Sequence, residues 1–203
     1  MKYPENIKEI AALQPDYLGF IFWKKSSRLM DVASIPELPV TTKKVGVFVD
    51  ASVDEIRSKI NQYQLDIVQL HGNESVSFCT EIKQLNVEII KVFSIGTNFD
   101  FSVLEEFLPM VDYFLFDTKG KLPGGNGVTF DWKILENYPF EKPFFLSGGI
   151  GINELEAIKA FQKTKVAEKC IAIDVNSQFE TKPGLKNKIE LEKFKKLLYE
   201  NEI

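Results

Sequence analysis

Short apolar runs alternate with helical segments along almost the whole chain, and that alternation leaves few folds open. The run Asp16-Tyr-Leu-Gly-Phe-Ile-Phe-Trp23 is too short for a typical helix and reads as a buried parallel strand. The same unit recurs: strand Lys44 to Val49 with helix Val53 to Tyr63, then strand Asp66 to Leu70 with helix Glu74 to Leu85. Glu88 to Phe93 precedes a short helix near Phe101 to Phe107, and Tyr113 to Phe116 precedes a helix from Phe130 to Glu136. Pro143 to Leu146 leads to helix Asn153 to Phe161, and Cys170 to Val175 to a final helix, Asn187 to Glu200. Ahead of all these stands a helix from Pro4 to Leu13, with Ile7, Ile10 and Ala11 on one face and Pro4 suited to its first turn.

Repeated strand-helix alternation predicts an α/β fold with a parallel sheet. An open doubly wound sheet would announce a nucleotide site with Gly-x-Gly-x-x-Gly after its first strand, and no such motif is present. The expectation is a (β/α)8 TIM barrel formed as one domain over residues 1–203, with seven strands visible and the first strand absent. Such a sheet would expose two strand edges and a slot in its core, to be covered by the termini or by association.

Composition narrows the chemistry. The net charge of -4 and the absence of any Lys/Arg run leave no footprint for nucleic acid or a membrane surface. No apolar run reaches the roughly 18 residues of a membrane span, and the start lacks a signal-peptide pattern, so a cytoplasmic location is expected. Cys79 and Cys170 lack partners at metal-ligand spacing and read as two free thiols. With His71 as the single histidine, a zinc site built on several imidazoles is excluded, and no Gly-x-Ser-x-Gly turn supports serine-histidine catalysis.

In a parallel barrel the active site lies at the C-terminal ends of the strands. The polar residues found there are Ser26, Ser27 and Arg28, then Asp50, His71, Asp117, Ser147 with Gly148 and Gly149, and Asp174 with Asn176 and Ser177. Gly148 and Gly149 sit at a strand end before a helix, where backbone amides favour an anion; a plain tight turn is the alternative. Asp174, Asn176 and Ser177 follow the last strand, the other half of the usual phosphate site of such barrels. Asp117 ends an apolar strand, where a partly desolvated carboxyl can serve as a general acid; a loop-capping aspartate is the alternative. The loop after it, Gly120 to Gly127, is suited to closing over a substrate or to nesting an anion. His71 is equally suited to a substrate contact or a structural cap, and Arg28 to a two-pronged hold on a carboxylate or a place on the surface.

These segments, in register, resemble phosphoribosylanthranilate isomerase. The resemblance rests on Asp16-Tyr-Leu-Gly-Phe-Ile-Phe with Ser26-Ser-Arg28, Val45-Gly-Val-Phe-Val, Val68-Gln-Leu-His-Gly, Phe116-Asp-Thr with Gly124-Gly-Asn-Gly, Leu146-Ser-Gly-Gly-Ile and Asp174-Val-Asn-Ser. It implies an aldose-ketose rearrangement of N-(5'-phosphoribosyl)anthranilate in tryptophan biosynthesis, with a small-molecule substrate, no cofactor, and a monomer or homodimer. By motif match Asp117 is the expected general acid. Arg28 would hold the anthranilate side, His71 and Asp174 would line the site, and Gly148, Gly149, Asn176 and Ser177 would cradle phosphate. The rival expectation is a non-catalytic phosphosugar-binding barrel acting as a sensor or regulatory subunit.

Three positions depart from the family pattern. The family's general base is a cysteine in a Cys-Gly-hydrophobic turn before the Pro-Glu-Asn helix, and Met1 falls where the third residue of that turn would be. The expectation is therefore that the base cysteine and its strand lie outside the 203 residues, and that the chain as it stands has little or no turnover. Gln178 stands where the family usually has glycine, and Asn187 replaces a frequent aspartate.

Overall fold

A computed structural model describes residues 1–118 and 131–199 of the chain. The Gly120 to Gly127 loop and the expected helix start at Phe130 lie outside them. Seven parallel strands are hydrogen-bonded in chain order: β1 (Tyr17–Ile21), β2 (Lys43–Phe48), β3 (Ile67–Leu70), β4 (Glu88–Ile95), β5 (Tyr113–Thr118), β6 (Phe144–Leu146) and β7 (Cys170–Ile173). Helices α1 (Pro4–Ala11), α2 (Val53–Tyr63), α3 (Val76–Lys83), α4 (Leu155–Gln162) and α5 (Lys188–Tyr199) fall where the sequence periodicity places them. No helix among the described residues is long and apolar enough to cross a membrane.

Successive side chains on a strand point to opposite faces, and here this sorts two cores. Phe20, Phe48, Leu70, Ile89, Phe114, Phe116, Phe144 and Leu146 face outward into a large cluster shared with α1 to α5. Val45, Ile67, Ile90, Val92, Leu115 and Phe145 face inward, joined by Tyr17, Tyr113 and Ala172. The sheet curls: the ring of Tyr17 on β1 meets that of Phe145 on β6 edge-on at 4.9 Å.

Among the described residues β1 and β7 share no ladder, so a gap separates the sheet's two edges. Part of the β1 edge is satisfied from elsewhere. The Met1 nitrogen donates to the Gly19 carbonyl at 2.7 Å, and Met30 N–H donates to the Ile21 carbonyl at 2.7 Å. The β7 edge stays open enough to leave Ile171 44% exposed. Ile10 and Leu13 on the α1 side and Leu191, Phe194 and Leu198 of α5 line the space between, so segments near both chain ends border the slot.

Two expected helices shorten to 3-10 turns, Phe101–Phe107 and Trp132–Asn137. A hairpin of β8 (Glu180–Lys182) and β9 (Leu185–Lys186), read from sequence as plain loop, turns at Gly184 with φ +82°. Asn6 docks it to α1: its amide donates to the Lys186 carbonyl at 2.9 Å and its Oδ1 accepts from Lys186 N–H at 2.7 Å.

Candidate active site

The inward phase of the strands carries polar groups to one end of the curled sheet. Two residues beyond inward Leu115 comes Asp117, two beyond Phe145 comes Ser147, and two beyond Ala172 comes Asp174; Ile67 is followed likewise by Gln69 and then His71. All five open onto one cavity of about 720 Å³ that runs down through the barrel interior to the slot between β1 and β7. Arg28, Gly148, Gly149, Asn176, Ser177 and Lys186 line the same cavity. Every sequence-proposed site residue except Ser27 and Asp50 therefore reaches it. Asp50, held at φ +49°, accepts instead from Asn73 N–H at 2.8 Å and shapes the loop after β3.

The mouth holds a chain of proton-handling groups. His71 Nε2 lies 3.4 Å from Asp117 Oδ2, and His71 Nδ1 lies 3.1 Å from Gln69 Oε1. The other Asp117 oxygen accepts from Thr118 N–H at 2.8 Å. Asp174 accepts from Ser147 Oγ at 3.1 Å, and burial, followed by the charge of Asp117, raises its carboxyl above the ordinary value of 3.8.

Beneath this row, Lys91 and Glu74 form a buried pair at 3.0 Å. Lys91 Nζ also donates to the Gly72 carbonyl at 2.8 Å and the Leu70 carbonyl at 3.3 Å, gripping the backbone on either side of His71. Glu74 accepts from Gly72 N–H at 3.0 Å and from Asp50 N–H at 3.1 Å.

On the facing side Gly148 and Gly149 adopt φ +98° and +68°, a tight turn that glycine alone takes without strain. A side chain at Gly148 would strike Thr118 and approach Asp117 Oδ1 to 2.8 Å. Asn176 and Ser177 begin the turn toward β8, with both Asn176 oxygens accepting from Lys186 Nζ. Arg28 is engaged by Glu180, which also accepts from Gly184 N–H at 3.0 Å and Lys186 Nζ at 3.1 Å. Burial opposes the Glu180 charge, yet the Arg28 hydrogen bond and Lys186 outweigh it and hold the carboxyl below its ordinary value.

Glu180, Lys186 and Gln69 were missed from the sequence as site residues. Gln69 was detectable, because it shares the inward phase of His71. Gln178 packs where Gly151 has no side chain: a Cβ there would lie 3.1 Å from Gln178 Cβ. Asn187 caps α5, its Oδ1 accepting from Glu190 N–H at 3.3 Å, as an aspartate would.

Neither cysteine reaches the mouth. Cys79 is buried on α3, its thiol pushed up to about 11 by burial. Cys170 begins β7, at the end opposite Asp174, its thiol pushed up to about 12 by burial.

Comparison with known proteins agrees with this arrangement. Residues 1–197 match the family model described as N-(5'phosphoribosyl)anthranilate (PRA) isomerase. A protein of Parabacteroides distasonis named N-(5'-phosphoribosyl)anthranilate isomerase is 42% identical over 96% of this chain and 88% of its own length. One of the same name from Phocaeicola vulgatus is 40% identical over 92% of this chain and 89% of its own. The phosphoribosyl anthranilate isomerase structure from Thermotoga maritima superposes with a TM-score of 0.82 at 26% identity, covering 98% of this chain and 96% of that one. An isomerase structure in complex with reduced 1-(o-carboxyphenylamino)-1-deoxyribulose 5-phosphate superposes at 0.79 with 24% identity, covering 98% of this chain and 95% of that one. With a family model spanning residues 1–197 and a relative 42% identical over 96% of the chain, the chain belongs to the N-(5'-phosphoribosyl)anthranilate isomerase family.

Proposed function

We propose that this chain, as one barrel domain over residues 1–203, binds N-(5'-phosphoribosyl)anthranilate and converts it to 1-(2-carboxyphenylamino)-1-deoxyribulose 5-phosphate. The observation that carries the reading is the convergence of Asp117, His71, Asp174 and the Gly148-Gly149 turn on one cavity in a chain of this family. In this reading Asp117 gives a proton to the furanose ring oxygen as the C1–O bond opens to a Schiff base. A base then takes the C2 proton, and the enolamine tautomerises to the ketone. Arg28 faces the anthranilate carboxylate with the guanidinium edge that Glu180 leaves free. The amides of Gly148, Gly149, Asn176 and Ser177 receive the phosphate, with the Lys186 cation behind them. The partner is a small molecule, the location the cytoplasm, and the working form a monomer or homodimer.

A second reading is favoured by one observation: neither cysteine stands at the mouth to serve as base. It makes the chain a phosphosugar-binding barrel without turnover. One experiment separates the two. Calorimetric titration with the reduced product analogue is run beside an assay following loss of the substrate's anthranilate fluorescence. Binding with turnover supports the isomerase, binding without turnover the second reading, and absence of binding defeats both.

A further inference from the structure

We infer that Gln69 is a positioning residue that sets the tautomer of His71 and thereby places a proton between His71 and Asp117. The buried Gln69 amide presents its oxygen to His71 Nδ1 at 3.1 Å. An amide oxygen only accepts, so Nδ1 carries the hydrogen and a neutral ring leaves Nε2 bare. That bare nitrogen faces Asp117 Oδ2 at 3.4 Å. Two lone pairs at such a separation repel unless one atom holds a proton. Oδ1 is already occupied as acceptor of Thr118 N–H, so Oδ2 is the carboxyl oxygen left to share that proton with Nε2.

The backbone that carries the ring is held on both sides. Lys91 holds the carbonyls of Leu70 and Gly72 on both sides of His71, and His71 N–H donates to the Phe48 carbonyl at 2.8 Å. Turning the Gln69 amide over would reverse the logic. Its NH2 would then face Nδ1, the ring would carry hydrogen on Nε2, and Asp117 would only accept.

The inference rests on Asp117 as the proton donor of the proposed reaction, but its test does not depend on turnover. His71 is the single histidine of the sequence, so its side-chain nitrogens are assigned without ambiguity. Two-bond 1H–15N correlation spectra of the 15N-labelled chain, taken at a pH where the ring is neutral, report which nitrogen is protonated. The expected result is the Nδ1–H form, kept in Gln69→Glu and exchanged for Nε2–H in Gln69→Leu. An Nε2–H ring in the unmodified chain, or a Gln69→Leu spectrum unchanged from it, overturns the inference. Should Gln69→Leu fail to fold, the unmodified chain and Gln69→Glu still decide it. The Nδ1–H form in a chain that binds no product analogue would defeat the functional reading alone.

Discussion

Arg28 and Glu180 meet side by side, with Nε 2.9 Å and Nη2 2.8 Å from the same carboxylate oxygen and Nε 3.1 Å from the other. The contact joins the loop after β1 to the hairpin after β7, across the gap in the sheet. Because the Glu180 side chain is only 5% exposed and also neutralises Lys186, removing its charge strands two cations. Glu180→Ala should destabilise the chain by about 3 kcal/mol, the lower end for breaking a buried pair, since Arg28 is partly exposed. Arg28→Lys keeps the charge and loses the two-pronged geometry, so it should weaken binding of the product analogue more than it lowers stability. Urea unfolding and calorimetric titration measure both; unchanged unfolding midpoints in Glu180→Ala would refute the clamp.

Asp174 has a pH signature. Burial and the nearby Asp117 raise its carboxyl above 3.8, so between 3.8 and the native value the native state holds a proton that the unfolded chain has released. Its contribution to stability is thus fully present below 3.8 and lost as pH rises through the native value. Asp174→Asn has no proton to release, so it should match the parent at acid pH and exceed it at neutrality. A gain of about 1 kcal/mol corresponds to ~2–4 °C in Tm for a chain of this size. Thermal melts across pH test this; parallel Tm curves for the two proteins would count against it.

Much of the fold was legible because it is written locally. The strands are short apolar runs, and counting by twos from Leu115, Phe145 and Ala172 lands on Asp117, Ser147 and Asp174. What sequence could not show depends on partners far along the chain. Glu74 reads as the first residue of a helix, yet Ser75 caps that helix, accepting from Phe78 N–H at 3.2 Å, while Glu74 turns inward to Lys91. The Glu180 hairpin has strands of three and two residues, too short for any periodicity, and is fixed by Asn6 at the other end of the chain. Phe101–Phe107 and Trp132–Asn137 carry helical spacing, but packing closes them as tighter 3-10 turns.

Lys91 and Glu74 yield a third expectation. Both side chains are almost wholly buried, 4% and 3% exposed, so losing one member leaves a charge without its counterion. Lys91→Met should cost ~3–5 kcal/mol in urea unfolding. It also frees the carbonyls of Leu70 and Gly72, so the His71 resonances of any folded fraction should broaden or split. A Lys91→Met/Glu74→Leu pair removes both charges and should recover a large part of the stability. Failure of the double variant to exceed Lys91→Met would show that the backbone grip, rather than charge balance, dominates.

Gly148 links the phosphate turn to the carboxylate. At φ +98° its backbone suits glycine alone, and an added Cβ would strike the Thr118 hydroxyl, lie 2.5 Å from Thr118 N and 2.8 Å from Asp117 Oδ1. Those Thr118 atoms are backbone and short side chain, with little room to yield, and Thr118 N–H is the group that fixes Asp117 Oδ1. Gly148→Ala should therefore displace Asp117 as well as distort the amides of the turn, costing ~1–3 kcal/mol from the backbone strain alone. The neighbouring Gly149→Ala, at φ +68°, carries the same order of backbone strain one residue beyond the position whose Cβ would meet Asp117. Both variants should thus lose stability, Gly148→Ala the more because of the added clash, and the His71 spectrum, which reports the Asp117 side of the mouth, should change only in Gly148→Ala. Identical His71 spectra in both would mean that the turn and the carboxylate are independent.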